Sequence, residues 1–407
     1  MSLTRWLSER LWLSGSRERA SRPASPRKRP TFRPTLEALE HRYLLSTLTV
    51  LNTHDSGAGS LRAEIAAAHS NDTIVFAPSL DGQTITLTSG ELLIKKNLTI
   101  AGPGAGELTV SGNNASRVFE VASKENVTLS GLTISDGAAS GVGQAGEGAG
   151  ILNHGTLTVS GSALSGNSAN QNGGGIHNDG TMTVSNSTLS GNSAGEGGGI
   201  RNEGTLTVSG SVLSGNVGTV VGGGIENYGT LTVSGSTLSG NSANQNGGGI
   251  FNDGTLTVSS STLSGNSTTQ QGGGIYNNGT MTVSNSTLSS NSASYGGGIY
   301  DYSGTLTVSG STLSSNSATY YGGGIYNGAG SLTVSGSTLS GNSAASAGGG
   351  IYNTNSVSAT VTVKNSSSIT GNTAPVGFGA DADNLGVLYL DISSMIGILD
   401  GNPAVPI

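Results

Sequence analysis

Residues 173–192 read GGGIHNDGTMTVSNSTLSGN, and nearly the same phrase returns at 247–266 (GGGIFNDGTLTVSSSTLSGN) and 272–291 (GGGIYNNGTMTVSNSTLSSN). Within the first copy Thr181-Met182-Thr183-Val184 alternates polar and apolar residues, a period of two that marks a strand with Met182 and Val184 on one face. Ser-Thr-Leu189-Ser is a second short strand, and Gly-Gly-Gly-Ile176 supplies a third. Asn192 lies in a Gly-Asn-Ser turn. The isoleucine of the phrase recurs at Ile151, Ile176, Ile200, Ile225, Ile250, Ile275, Ile299, Ile325 and Ile351, in steps of 24 to 26 residues. A near-constant step with small slips is one structural unit with adjustable turns. No segment inside the unit is long enough for a crossover helix, so βαβ arrangements are excluded. One coil has too few apolar residues to offset the entropy of ordering about 25 residues. Neighbouring coils must share a core and a hydrogen-bond ladder. The predicted fold is all-β: a single-stranded, right-handed parallel β-helix, a solenoid of about 12 coils with three short strands in each.

Outside the overt repeats the chain changes character. Residues 1–46 form a predicted disordered basic segment, with ten of the 17 Lys and Arg in the first 45 positions. Residues 47–147 hold short β-like runs such as TLTV (47–50), TIVF (73–76) and NLTI (97–100), and read as the N-terminal cap and irregular coils. LRAEIAAAH (61–69), with Ser60 as N-cap, is expected to be a short capping helix over the open end of the stack. Residues 148–374 are the regular repeats and 375–407 a C-terminal cap, with VLYLDISSMIGIL (387–399) as the cover.

Beyond residue 45 the chain carries seven basic and 20 acidic residues, a balance of −13 that disfavours nucleic acid and anionic lipid as partners. There is no cysteine, hence no thiol chemistry, and no run of 18 apolar residues to make a transmembrane segment. The longest apolar run near the start, Leu11-Trp12-Leu13, is too short for the core of an ordinary signal peptide.

RPTLEALEHRYLLS (33–46) resembles the LEPR-XLL motif of large extracellular proteins of planctomycete bacteria, through Leu36, Glu37, Leu39, Glu40, Arg42, Leu44, Leu45 and Ser46. It departs from that motif in placing Ala38-Leu39-Glu40-His41 before Arg42. DSGAGSLRAEIAAAHSNDTIVF (55–76), GPGAGELTVSGNN (102–114) and the GGGIxN and LSGNSA phrases look like bacterial surface β-helix proteins of the choice-of-anchor Q type. The last two phrases also resemble the chlamydial polymorphic outer membrane protein repeat. These resemblances imply an extracellular or cell-surface location and an adhesive or structural role.

Equivalent positions on successive coils form columns, which can be searched for chemistry. The residue after each Ile should face outward: Leu152, His177, Arg201, Glu226, Phe251, Tyr276, Tyr300, Tyr326, Tyr352. Tyr276, Tyr300, Tyr326 and Tyr352 are candidates for stacking on sugar rings, or they stabilise their own sheet; Tyr295, Tyr320 and Tyr321 lie in nearby turns. The asparagine columns through Asn178 and Asn192 are expected to be structural amide ladders. His154, His177, Asp179, Arg201, Glu203 and Glu226 cluster in the first regular coils. Asp179 and Glu203 share a column and could approach the carboxylate separation of a retaining glycosidase, or they belong to a solvated row. The calcium-binding nonapeptide repeat is absent, so no metal and no cofactor is assigned. The Thr-x-Thr rows (Thr156/Thr158, Thr181/Thr183, Thr205/Thr207 and onward) resemble the ice-binding faces of insect antifreeze β-helices, although Thr is also a good exposed strand residue. The reading is a secreted or surface β-helix that is not an enzyme, with polysaccharide or cell-surface glycan as the partner. The alternatives are a polysaccharide-degrading enzyme using Asp179 and Glu203, and an ice- or surface-binding protein using the Thr rows.

Overall fold

The computed structural model describes residues 45–407. The LEPR-XLL-like stretch, apart from its last two residues, and the basic segment lie outside the described residues. Each phrase of the sequence is one coil. In the coil that starts at Gly272 the strands are Ile275–Asn277, Thr280–Ser284, Thr287–Ser289 and Ser292–Tyr295. Every strand pairs in parallel with the equivalent position of the neighbouring phrase: Thr255 with Thr280, Leu263 with Leu288, Ile250 with Ile275. Three sheets of 15, 13 and 13 strands run along the stack, named below for their Thr, Leu and Ile columns.

Two features go beyond the expectation. The stack has about 14 turns, not 12. The chain also makes a fourth sheet of nine strands from the Asn-Ser-Ala segment, where a turn alone was expected. These strands are two to five residues long, and most of the shortest hold one buried Ala, such as Ala169 and Ala243. Two residues are too few to show a period. Within 375–407, Ala382–Asn384, Val387–Leu390, Met395–Ile396, Leu399–Gly401 and Val405–Pro406 add further rungs to the three long sheets.

The core is a continuous column of four apolar side chains per coil, for example Ile275, Met281, Val283 and Leu288. The corners between strands are filled by buried polar ladders. Asn178 Nδ2 donates to Asn202 Oδ1 (2.7 Å), and Asn202 to Asn227 (2.7 Å). A second asparagine column runs Asn192 to Asn216 to Asn241 at 3.0 and 2.9 Å, and each amide also donates to a core-strand carbonyl, Asn216 to Leu189 O at 3.0 Å. A serine column receives the backbone N–H of the preceding coil, Ser187 N to Ser211 Oγ at 3.1 Å. These ladders satisfy buried backbone groups where the strand ladder is interrupted, which is why the same polar letters recur. The glycine run has a steric cause. A Cβ on Gly274 would sit 2.5 Å from Gly298 O of the next coil, and Gly272 has φ of +72°.

At the N-terminal end the helix α1 (Leu61–Ala67) is capped by Ser60, whose hydroxyl accepts from Ala63 N. It takes the place that Leu- and Ile-sheet strands occupy in later coils and buries Leu61 and Ile65 in the core. Arg62 donates to Gly90 O (2.6 Å) and Glu91 O (2.7 Å), and Lys96 to Ala68 O (2.6 Å), tying helix to stack. Among the described residues no helix is long and apolar enough to cross a membrane.

Candidate functional site

Strand alternation turns the residue after each core Ile away from the core. Register extends this row beyond the nine expected members: Leu93, Glu120, Leu152, His177, Arg201, Glu226, Phe251, Tyr276, Tyr300, Tyr326, Tyr352, Asp383, Asp400. Glu120, Asp383 and Asp400 were missed because their coils lack the GGGI phrase.

The row points outward as expected, but it is not an open face. Leu152, Tyr276 and Tyr300 are buried, His177 is 2% exposed and Glu226 0%. Flanking rows cover it. On one side stand residues just before the glycines, including Glu147, Glu196, Tyr295 and Tyr321; on the other stand residues just after the ladder Asn, including His154, Asp179, Glu203 and Tyr228. The row is therefore the floor of a shallow trough along the Ile sheet.

The first part of the trough is charged. Asp179 lies between two imidazoles, with Oδ1 2.6 Å from His177 Nε2 and Oδ2 2.8 Å from His154 Nδ1. The hydrogen bond to His177 holds the Asp179 carboxyl below its ordinary range. Arg201 gathers three carboxylates: Nε donates to Glu203 (2.9 Å), Nη1 to Glu226 (2.8 Å), and Nη1 also to Glu196. Its guanidinium lies 4.9 Å from the Tyr228 ring centre. Burial pushes the Glu226 carboxyl up to about 7 in spite of Arg201. Asp179 and Glu203 do come together, with ligand atoms of His177, Asp179 and Glu203 all within 4.8 Å of one another. Acid–base work on a glycosidic bond needs one protonated and one ionised carboxyl. Two carboxyls of this part of the trough floor have a raised affinity for a proton, both chiefly through burial: Glu120, and Glu226, which is fully enclosed.

The second part is aromatic. Along the row the rings stack at 4.9 Å (Phe251–Tyr276), 5.5 Å (Tyr276–Tyr300), 4.6 Å (Tyr300–Tyr326) and 5.2 Å (Tyr326–Tyr352), with interplanar angles from 2° to 26°. The faces of Tyr276, Tyr300 and Tyr326 are thus turned on one another, so these rings stack within their own sheet. An outer layer completes the patch: Tyr302 on Tyr276 (6.5 Å), Tyr320 and Tyr321 on Tyr295 (5.2 and 5.9 Å), Tyr321 on Tyr352 (4.6 Å). Tyr302 is 52% exposed and Tyr320 46%. Tyr302 was missed because it sits in a lengthened turn outside the row.

A family model, the Chlamydia polymorphic membrane protein repeat, matches residues 260–278. Among curated proteins nothing matches the chain. Solved structures with a similar course include the A-module of a mannuronan C-5 epimerase of Azotobacter vinelandii (12% identity, TM-score 0.40, covering 88% of this chain and 99% of that one). A PL6 family polysaccharide lyase of Pseudopedobacter saltans is similar at 12% identity and TM-score 0.37, over 88% of this chain and 87% of that one. ORF18 of Geobacillus virus E2 follows at 12% identity and TM-score 0.30, over 84% and 62%.

Proposed function

We propose that the protein is a surface-displayed, non-catalytic β-helix that binds glycan along the aromatic half of the trough. The observation that carries this reading is the continuous patch of eight tyrosines with Tyr302 and Tyr320 open to solvent above a stacked floor. A pyranose ring stacks its C–H face on an aromatic ring and offers hydroxyls to polar neighbours. Burial raises the Tyr276 and Tyr352 phenols to about 12, so both stay neutral hydrogen-bond donors at physiological pH. Tyr276, Tyr300, Tyr326 and Tyr352 are the floor that holds the outer rings; Tyr302 and Tyr320 are the stacking surfaces. The acidic body favours a neutral glycan over a polyanion. The match to a polymorphic membrane protein repeat supports surface display.

A polysaccharide panel scored for both binding and depolymerisation tests this. Replacing Tyr302 and Tyr320 together by Ala should weaken binding about tenfold, equivalent to ~1.4 kcal/mol, without lowering the melting temperature. Depolymerisation that disappears in Glu203→Gln or Asp179→Asn would overturn the non-catalytic reading. Absence of binding to every glycan leaves a structural rod as the better account.

The Thr columns favour a second reading. Thr156, Thr181, Thr205, Thr230, Thr255, Thr280 and Thr305 are exposed and in unbroken register on the broadest sheet. A flat, regular hydroxyl array is suited to an ordered surface such as ice, and thermal hysteresis at high protein concentration measures that directly. A freezing point no lower than that of an equally concentrated control protein ends this reading.

A further inference from the structure

We propose that His154, His177, Asp179 and Glu203 form a binding site for one divalent cation of the zinc class. Three of the four residues stand in one column. Each directly follows a ladder asparagine (Asn153, Asn178, Asn202), on three consecutive coils about 4.8 Å apart. The amide ladder beneath them, at 2.7 Å per rung, fixes their spacing whether or not a ligand is present. His177 reaches into the same point from the trough floor.

Three of the four, His177, Asp179 and Glu203, already bring ligand atoms into one group, and His154 joins it through Asp179. Two imidazole nitrogens meet one carboxylate, at 2.6 Å and 2.8 Å, and the Glu203 carboxylate comes within 4.8 Å of His177 and Asp179 ligand atoms. For both contacts to be hydrogen bonds, each ring must hold a proton towards Asp179. A divalent cation would take the place of those protons on the same atoms, a neutral ring moving its proton to the other nitrogen.

A second observation is independent of the cluster's composition. His177 is 2% exposed, yet its Nδ1 has no partner. When a cation takes Nε2, the ring proton can move to the vacant Nδ1. Here all of its polar reach goes into the cluster through Nε2. The surroundings add electrostatic pull: Glu91, Glu120, Glu147, Glu196 and Glu226 line the same half of the trough, against the guanidiniums of Arg117 and Arg201. Glu147 Oε2 is 4.0 Å from His177 Nε2. Asp179 and Glu203 are partly exposed, which leaves an entry path.

The donor set selects the ion. Two imidazoles with one or two carboxylates suit Zn²⁺ and its borderline neighbours Co²⁺ and Ni²⁺. Ca²⁺ and Mg²⁺ want oxygen shells and gain little from imidazole.

The test is calorimetric titration of the chelator-treated full chain with zinc chloride, in buffers of different ionisation enthalpy. The expected result is one zinc per chain, a rise in melting temperature with zinc, and no competition from calcium. His154→Ala and Asp179→Asn should each weaken binding at least about tenfold while melting as the zinc-free parent does. Both sites are partly exposed, so these variants avoid the folding risk of changing buried His177. Absence of zinc uptake overturns the proposal. So does uptake of the same affinity in both variants, which would place the ion on other histidines. Neither result bears on glycan binding, which lies on other coils.

Discussion

The coils from His154 to Tyr228 and those from Phe251 to Tyr352 share one backbone and differ in one row. In both, the asparagine ladder closes at 2.7 Å per rung, as from Asn202 to Asn227 and from Asn252 to Asn277. In both, the core is Ile, Leu or Met, Val and Leu, with Val361 and Ile369 in place of the two Leu in the coil of Tyr352. The trough floor is His177, Arg201 and Glu226 in one half and stacked rings in the other. The first is held by charge pairs that bridge coils, the second by ring faces that bridge coils. The scaffold accepts either because its own ladders satisfy the strand corners in both halves, apart from the rung at Asp301. The floor is therefore free to vary, and the two halves should respond differently to mutation and to pH.

The largest difference is expected at Arg201. Arg201→Met leaves Glu226 fully buried with its main counter-charge removed, which should cost about 3–5 kcal/mol at pH 8. The Glu226 pKa is raised by burial to about 7 even with Arg201 present. A carboxyl raised on folding gives stability below its unfolded pKa and loses it as pH rises through the folded value. The Arg201→Met deficit should therefore shrink as pH falls from 8 towards 5. Tyr300→Leu, at the same row position in the aromatic half, should cost about 1–3 kcal/mol with no change over that range. Melting temperatures across pH for both variants compare them; a pH-independent Arg201→Met would refute the account of Glu226.

A smaller effect, of opposite sign, is expected where the shared ladder is broken. Asp301 replaces asparagine in the inner column and accepts from Asn277 Nδ2 at 2.7 Å. It has no amide to pass on. Its Oδ2 and the Oδ1 of Asn327, the next rung, are both buried without a partner. Burial raises the Asp301 pKa to about 6, and the neutral acid has a proton to donate where the anion has none. Stability is thus lost as pH rises from the unfolded value through about 6. Asp301→Asn should restore the ladder and gain about 1–2 kcal/mol at pH 8, with the gain fading near pH 4. A destabilised variant at pH 8 sinks the ladder account.

The parts legible in sequence were those written as a repeat. The step between isoleucines exposes the coil, and the Asn columns expose the ladders, because each needs the same letter in the same place. The fourth sheet was hidden, since Ser242–Ala243 is too short to show a period. Glu120 and Asp383 belong to the row by register alone. The burial of the row was also unreadable, because its cover comes from turns whose letters change at each coil: Glu196, Gln271 and Tyr295 occupy that wall in different coils. Asp179 and Glu203 were visible as neighbours, but the imidazoles on either side of Asp179 depend on His154 and His177 approaching it from different directions.

The smallest expected effect separates what the aromatic half does for the fold from what it offers to a ligand. Tyr302 lies outside the row, half exposed, on a turn lengthened by insertion, and touches the stack through one ring contact at 6.5 Å. Tyr302→Ala should change stability by no more than about 0.5 kcal/mol. Tyr300 has ring neighbours on both faces and is buried, so its loss should be felt in melting. If Tyr302→Ala destabilises as much as Tyr300→Leu, the outer ring is part of the fold. If it leaves melting unchanged, the outer ring contributes nothing to the coil and is free to serve the glycan contact proposed for it.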